Sequence, residues 1–149
     1  MEKEELTSDA RLMAMLSHLS ILFGGIILPI ILWATQKDKS KFVRYHALQA
    51  IFFHIAYVAI LVIVIIALVI VALISGAGFG ALSKGHHSND GALSVLMIIL
   101  IIVFYGGIFI SIFGAMAYEI FLAIKSYHGS YIKVPVIGNI IYKKVYGNQ

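Results

Sequence analysis

An uncharged apolar run in the middle of the chain limits the fold more than any other feature. Between Ile55 and Ile74 the sequence contains no charged residue, and about 20 apolar residues are what an α-helix needs to cross the hydrocarbon core of a bilayer. The chain of 149 residues is 61% hydrophobic and 12% charged, whereas soluble domains average about 45–50% and 25%. The run therefore predicts a spanning helix in an all-α membrane protein.

Other apolar segments extend this prediction to a single membrane domain, residues 1–149, with about three transmembrane helices. The predicted spans cover residues 12–35, 47–75 and 92–124. A flexible loop rich in glycine and serine is predicted over 76–91. The remaining residues, 125–149, form a tail that alternates tyrosine with lysine and is divided by Pro135 and Gly138. That composition predicts a short interfacial helix near the C-terminus, from about Ile137 to Val145.

The first span has a break in it, which leaves two arrangements open. Gly24 and Gly25 are followed by Pro29, and proline both lacks the helical donor and clashes with the preceding turn. We prefer one kinked span with the N-terminus on the far side of the membrane. The alternative is a re-entrant hairpin that returns to the side it entered, whose non-helical tip has to be buried against protein.

His18 lies in this first segment, on the same helical face as Arg11 and Met15. We interpret it as a neutral histidine that is hydrogen-bonded to a neighbouring helix. The alternative is a proton-linked or ligand site, because ionisable groups in membrane segments are costly and often functional. The sequence alone leaves open whether His18 joins other polar residues.

Polar side chains mark the start of the second span. The stretch from Phe42 to Ile55 reads FVRYHALQAIFFHI, in which the basic residues end at Arg44 and polar side chains continue into the span. These side chains fall within one broad arc of a helix. The pattern predicts a polar pocket at one end of the span, or hydrogen bonds between helices, formed by Arg44, His46, Gln49 and His54.

Glu119 is expected to complete this polar group from the third span. It lies inside the membrane boundary that Lys125 marks, at the same side as the polar start of the second span. A carboxylate there has to be neutral, paired or in contact with water, since burial of an isolated charge costs several kcal/mol. We expect it to pair with His46, Gln49 or His54, or to reach toward Arg44 or Lys125.

Small residues recur every four positions on the third span, at Gly107, Ser111 and Ala115, in the same row as Glu119. Small side chains at this spacing let helix backbones approach closely in membranes. The row therefore predicts helix packing, either within a homo-oligomer or against other membrane proteins.

The distribution of cations predicts the orientation. Of eleven Lys and Arg residues, eight lie in the first loop, residues 36–45, and in the tail, and an excess of cations marks cytoplasmic segments. The first loop and the C-terminus are thus expected in the cytoplasm, where their cations attract anionic lipids rather than nucleic acid. In the kinked arrangement the other side carries three cations, and the hairpin moves two of these, Lys3 and Arg11, to the cytoplasm and leaves Lys84.

Residues with catalytic or metal-binding patterns are few. The chain has no cysteine, so thiolate nucleophiles and Cys-containing zinc sites are excluded. His86, His87 and Asp90 lie in the predicted loop, where no fixed element presents them to a metal. A nucleophile with a base and a phosphate loop are both missing from the sequence. We expect no enzymatic activity, no cofactor and no metal site.

The quoted stretch FVRYHALQAIFFHI follows a broken apolar segment that begins DARLMAMLSHLS, and precedes two long spans and a short tail with Pro and Gly. In these features the chain resembles a family of small prokaryotic membrane proteins of unknown function, related to the multispanning translocon subunit of the chloroplast inner envelope. The resemblance covers about Asp9 to Val145. It implies a multi-pass protein of a prokaryotic cell membrane, with shared signature positions at Phe42, Arg44, His46 and Gln49.

Together these observations predict a structural or assembly protein, or a subunit of a membrane complex, that acts through helix packing. The alternative is a component of an oligomeric channel or transporter, translocon-like by resemblance, that uses the polar group near the cytoplasmic side. A bilayer and other membrane proteins are the expected partners in both cases.

Overall fold

Helices make up all the regular structure in the part of the chain that the computed structural model describes, residues 6–23, 25–83 and 90–147. In chain order these are α1 (Ser8–Leu19), a 3₁₀ turn (Ser20–Phe23), α2 (Ile27–Gln36), α3 (Lys41–Ser83), α4 (Asp90–Tyr127) and α5 (Ile137–Tyr146). The all-α prediction is confirmed for these residues. His86 and His87 lie outside them.

Two of the helices are long and apolar enough to cross a membrane. These stretches are Lys41–Val71 in α3 and Ile98–Tyr127 in α4, and only 6% of the most apolar part of each is buried inside the chain. Apolar side chains that find no core within the chain need lipid or another protein around them. Length, composition and exposure together make this a membrane protein.

Helix α3 continues eight residues beyond the predicted end of the second span. It ends at Ser83, so helix replaces the first half of the loop predicted over 76–91. Three glycines in this stretch alternate with alanine and phenylalanine and no proline is present. Each glycine costs a helix about 1 kcal/mol relative to alanine, which a long helix tolerates. Residues 84–89 lie outside the described part of the chain.

The chain divides into two compact units. Unit 1 comprises Met1–Tyr57 and Gly114–Gln149, and unit 2 comprises Val58–Phe113. Unit 1 therefore holds α1, α2, α5, the start of α3 and the end of α4, whereas unit 2 holds the remaining parts of α3 and α4. The prediction of a single membrane domain stays a prediction.

The predicted break in the first span is confirmed. Helix α1 ends at Leu19, the 3₁₀ turn follows, and Gly25 adopts a positive φ of 142° that L-residues rarely adopt. Pro29 lies in the first turn of α2, where its missing N–H leaves no helical acceptor unpaired. It therefore belongs to the start of a second helix and does not kink a continuous one.

Both ends of this broken segment lie at the same end of unit 1. At its start, Leu6 and Arg11 lie against Gly129 in the turn after α4, since a Cβ at Gly129 would be 3.1 Å from Leu6 Cδ1. At its other end, Trp33 of α2 packs against the core that Tyr45 of α3 helps to form. α1 and α2 also contact each other. This geometry matches the hairpin alternative, because a kinked helix over 12–35 would separate its two ends.

Helix α5 covers the hydrophobic core of unit 1. Ile141 and Val145 are buried against Tyr45 and Leu48 of α3, and their spacing of four residues places them on one face of α5. The opposite face exposes Ile140 together with Lys143 and Lys144. The predicted short helix near the C-terminus is thus present, with one face packed on protein.

A tight turn sets the direction in which α5 leaves the preceding segment. Val136 has φ 64° and ψ −60°, and the Ile137 N–H donates to the Pro135 carbonyl at 2.7 Å. These values define a classic γ-turn, a rare and strained conformation for a β-branched residue. Gly138 makes the turn possible, because a Cβ there would lie 2.6 Å from the Lys133 Cα.

Candidate functional site

A chain of buried hydrogen bonds joins three helices of unit 1. His18 of α1, His46 of α3 and Glu119 of α4 are each no more than 1% exposed. His18 Nδ1 lies 2.7 Å from Glu119 Oε2, and its Nε2 lies 3.1 Å from His46 Nδ1. We call these three residues the buried triad. It connects residues that are up to 101 positions apart in the sequence.

The protons of the buried triad can be arranged in two ways. An ionised carboxylate only accepts hydrogen bonds, so with Glu119 ionised the His18 Nδ1–H donates to it. If His18 is neutral, its Nε2 accepts from the Nδ1–H of His46. If His18 is protonated, it donates to His46 instead and forms an ion pair with Glu119. In both states each ring nitrogen of His18 has a partner.

Helix periodicity explains why these side chains face inward. On α1, Ala14, Ser17 and His18 are buried together, as residues three or four positions apart share one face. On α4 the buried face continues from Ala115 through Glu119 to Leu122. Ala14 and Ala115 are small, so they leave room for the larger imidazole and carboxylate beside them.

Two atoms of the buried triad keep unused hydrogen-bonding capacity. Glu119 Oε1 and His46 Nε2 are buried, and neither makes a hydrogen bond of good geometry within the described residues, although the Ser130 backbone lies beside the His46 ring. Leaving such an atom unpaired costs about 1–3 kcal/mol. Even so, no group of three or more His, Asp or Glu side chains within 6–23, 25–83 and 90–147 is placed to hold a metal ion. The triad side chains bond to one another in sequence and can exchange protons along that line.

Gln49 is next to the triad on α3 but binds the segment before α5. Its Nε2 donates to the Ile132 carbonyl at 3.0 Å, and its Oε1 accepts from the Val134 N–H at 2.7 Å. The Tyr45 hydroxyl also donates to the Ile132 carbonyl, at 3.1 Å. Gln49 therefore uses both polar atoms to hold the C-terminal segment against α3, and its exposed fraction is zero.

His54 and Arg44 do not join the buried triad. His54 Nδ1 donates to the Ala50 carbonyl of its own helix at 2.6 Å, as a half-buried histidine on a helix can. Arg44 Nε is buried without a hydrogen-bond partner in the described part of the chain. The partner of Glu119 is His18, rather than Arg44, Lys125 or one of the residues from 46 to 54 that we expected.

Sequence reasoning gave His18 a bonding partner on a neighbouring helix but did not identify it. No spacing rule connects positions 18 and 119, because their proximity depends on how α1 packs against α4. The available signal was qualitative: two ionisable residues in separate apolar segments each needed a partner. Pairing such residues with each other is the inference that the sequence permitted.

The row of small residues on α4 divides between the two units. Ala115 in unit 1 is buried, with 8% of its surface exposed. In unit 2, a Cβ built on Gly107 would meet no side chain and no other segment within 4 Å among the described residues. Gly107 and Ser111 instead border an apolar cleft of about 330 Å³ whose other side is formed by Ile60, Leu61 and Val64 of α3.

Comparison with known proteins gives a family for the chain. No curated protein and no solved structure matched the sequence. The model of the magnetosome magnetite crystal formation protein family, MamF/MmsF, matches residues 9–141. That range contains the whole buried triad and Gln49. None of these findings supports a relation to the chloroplast translocon subunit. A match over most of its length shows that the chain belongs to the magnetosome magnetite crystal formation protein family.

Proposed function

We propose that this chain is a non-catalytic membrane protein that serves as a structural or assembly component in magnetite crystal formation. The observation that carries this proposal is the buried triad, in which His18, His46 and Glu119 use their polar atoms to join α1, α3 and α4. The family supplies the process, and the geometry supports a structural role within it.

Burial argues against a catalytic use of these residues. A catalytic group has to reach a substrate within hydrogen-bond distance, whereas His18, Glu119 and Gln49 have exposed fractions of zero. Removing one partner of such a pair leaves the other buried and unpaired, at a cost of about 3–5 kcal/mol. The triad therefore contributes to holding the helices in place, and the chain needs no cofactor for that role.

The proposed topology has two spans and a re-entrant hairpin. α3 and α4 cross the membrane, and α1 with α2 enters and returns on one side, so both termini and the loop between α2 and α3 are cytoplasmic. Ten of the eleven Lys and Arg residues then lie on the cytoplasmic side, and Lys84 alone lies opposite. The exposed cations of the first loop and of α5, including Lys143 and Lys144, bind anionic lipids there.

Self-association is the proposed mode of assembly. The spanning parts of α3 and α4 bury little of their surface within the chain, and the cleft beside Gly107 and Ser111 has room for side chains from a second copy. Small residues at such a surface permit close contact between helices in lipid. The partner is a second copy of the chain or another membrane protein.

One observation favours a second candidate, a component of an oligomeric channel. Glu119 Oε1 and His46 Nε2 are buried and make no hydrogen bond of good geometry within the described residues, so the triad has capacity to pass a proton. Two spans are too few for a pathway in one copy, and this function therefore requires an oligomer. A pH-sensitive dye inside vesicles that contain the reconstituted chain would detect such a flux.

A pair of Glu119 variants tests the proposal directly. Glu119→Gln keeps an oxygen that accepts from His18 but cannot exchange a proton, whereas Glu119→Leu removes the hydrogen bond. Each is expressed in a magnetite-forming bacterium that lacks its own copy of the gene, and crystal size is measured by electron microscopy. We expect Glu119→Gln to restore crystals and Glu119→Leu to fail. If Glu119→Gln is present in the membrane at the normal level and forms no crystals, the channel candidate replaces the structural one.

The topology is tested with introduced cysteines. The natural chain contains no cysteine, so any reaction with a thiol reagent comes from the introduced position. Ser8→Cys and Lys39→Cys are expected to react with an impermeant maleimide from the same side of the membrane. Ser83→Cys, at the end of α3, is expected to react only from the other side. Opposite reactivity of Ser8→Cys and Lys39→Cys would show that the first segment crosses the membrane.

A further inference from the structure

The tip of the α1–α2 hairpin exposes large apolar side chains. Phe23 is 80% exposed and Ile27 is 71% exposed, and three more apolar residues between positions 22 and 31 are at least 40% exposed: Leu22, Ile30 and Ile31. Several large exposed apolar side chains within ten residues indicate a contact with lipid or protein. We call these five residues the hairpin tip.

The length of the hairpin limits how deep its tip can lie. α1 has 12 residues and α2 has 10, which at 1.5 Å per residue gives about 18 and 15 Å. The hydrocarbon core is about 30 Å thick. A hairpin that enters and leaves on one side therefore reaches about the middle of the bilayer and occupies a single leaflet.

Two backbone N–H groups at the tip are bonded within the segment, which lowers the cost of placing this turn at such a depth. The Gly25 N–H donates to the Ser20 carbonyl at 3.1 Å, and the Ile30 N–H donates to the Ile26 carbonyl at 3.2 Å. The Ser20 hydroxyl donates to the Ser17 carbonyl at 2.8 Å. The turn thus presents apolar side chains outward, and these three polar groups are bonded within the segment.

Exposed cations flank the base of the hairpin. Arg11 lies in the first turns of α1, and Lys37 and Lys39 follow α2 directly. Cations at this position remain with the headgroups while the apolar part enters the hydrocarbon. Charge at the base and apolar surface at the tip identify the partner of this surface as one leaflet of a lipid bilayer.

We propose that the hairpin acts as a wedge in one leaflet. The chain then accumulates on curved membranes in which that leaflet lies on the convex side. The spans of α3 and α4 add area to both leaflets, whereas the hairpin adds area to one only. Apolar insertion into a single leaflet is favoured where that leaflet is stretched by curvature. This inference rests on the hairpin topology proposed above. It adds that the chain prefers a particular membrane curvature.

The experiment measures sorting between flat and curved membrane. The full chain, labelled on Ser8→Cys, is reconstituted into giant vesicles of neutral lipid with a fraction of anionic lipid, from which narrow tubes are pulled. An impermeant quencher identifies the molecules whose labelled side faces outward. We expect these molecules to be enriched about twofold or more on the tube relative to the flat membrane. Equal density on tube and vesicle overturns the proposal.

A matched pair of double variants assigns the effect to the hairpin tip. Phe23→Ser with Ile27→Ser is expected to abolish the enrichment. The control, Phe109→Ser with Ile110→Ser, removes the same side chains from α4, where they are 61% and 75% exposed, and is expected to keep it. A tip variant that sorts like the unchanged chain overturns the proposal.

Failure of the wedge and failure of the topology give different results. If Ser8→Cys and Lys39→Cys react from the same side but no sorting occurs, the hairpin stands and the wedge is overturned. If they react from opposite sides, both the hairpin and the wedge are overturned.

Discussion

Units 1 and 2 bury very different residues, although α3 and α4 contribute to both. Among its described residues, unit 1 buries seven that are polar or charged, including His18, His46 and Glu119, and most of their polar atoms have partners. Unit 2 presents an apolar cleft and largely exposed apolar side chains such as Ile63 and Ile102. Specific hydrogen bonds define unit 1, whereas unit 2 depends on what surrounds it.

This difference shows how a membrane protein can use apolar packing and polar hydrogen bonds for different purposes. In lipid, apolar side chains gain little by packing against one another, because the lipid tails are equally apolar. Polar groups by contrast find no partner in lipid and have to find one in protein. The triad and Gln49 therefore specify the arrangement of unit 1, while the exposed faces of unit 2 remain open for other helices or lipid.

Loss of the carboxylate in the triad is expected to lower the free energy of unfolding more than any other change. Glu119→Leu leaves His18 and His46 buried with fewer partners, and we expect the free energy of unfolding to fall by about 3–5 kcal/mol. Unfolding in mixed micelles of mild detergent and dodecyl sulfate measures it. Ile110→Ala, at an exposed position of unit 2, is the control and is expected to change little. Equal losses for both variants would remove the distinction between the units.

Gly138→Ala is the next largest change. The new Cβ would lie 2.6 Å from the Lys133 Cα, so the turn before α5 has to open, at a cost of about 1–3 kcal/mol. The same unfolding assay measures the loss, and limited proteolysis after residue 133 detects a displaced α5. Full stability with an intact tail would contradict the close approach in the structure.

Gln49→Leu tests how the C-terminal segment is held. Leucine keeps the bulk but leaves the Val134 N–H unpaired, while the Ile132 carbonyl keeps its bond from Tyr45. We expect a loss of about 1–2 kcal/mol and faster proteolysis of the tail. Tyr45→Phe removes only the second donor and is expected to have a smaller effect. The reverse order would mean that Tyr45 holds the segment.

Gly107→Ala should have the smallest effect, and in the opposite direction. A Cβ at this position meets nothing within 4 Å, and alanine favours a helix over glycine by about 1 kcal/mol. We expect a gain of about 0.5–1 kcal/mol in the unfolding assay. A loss of stability in the unfolding assay would instead show that another helix of the same chain packs closely on Gly107.

The gross architecture was predictable from the sequence, whereas the partners of its polar residues were not. The uncharged run from Ile55 to Ile74 requires a lipid-facing helix, and the glycines around position 25 with Pro29 require a break, because these are local properties of the backbone. The pairing of His18 with Glu119 depends on how α1 packs against the end of α4. Gln49 was predicted to belong to the polar group at the start of the second span. Its bonds to residues 132 and 134 were not predictable, because they depend on the path of the tail.

By itself, the sequence determined that the chain is helical, that it lies in a membrane and that its first segment is broken, since hydrophobic length and backbone constraints act over short distances. Only the tertiary structure decided that α1 and α2 contact each other, that Glu119 bonds to His18, and that Gly107 has open space beside it. Each of these depends on which surfaces meet across many residues, and helical periodicity fixes only the face on which a side chain lies.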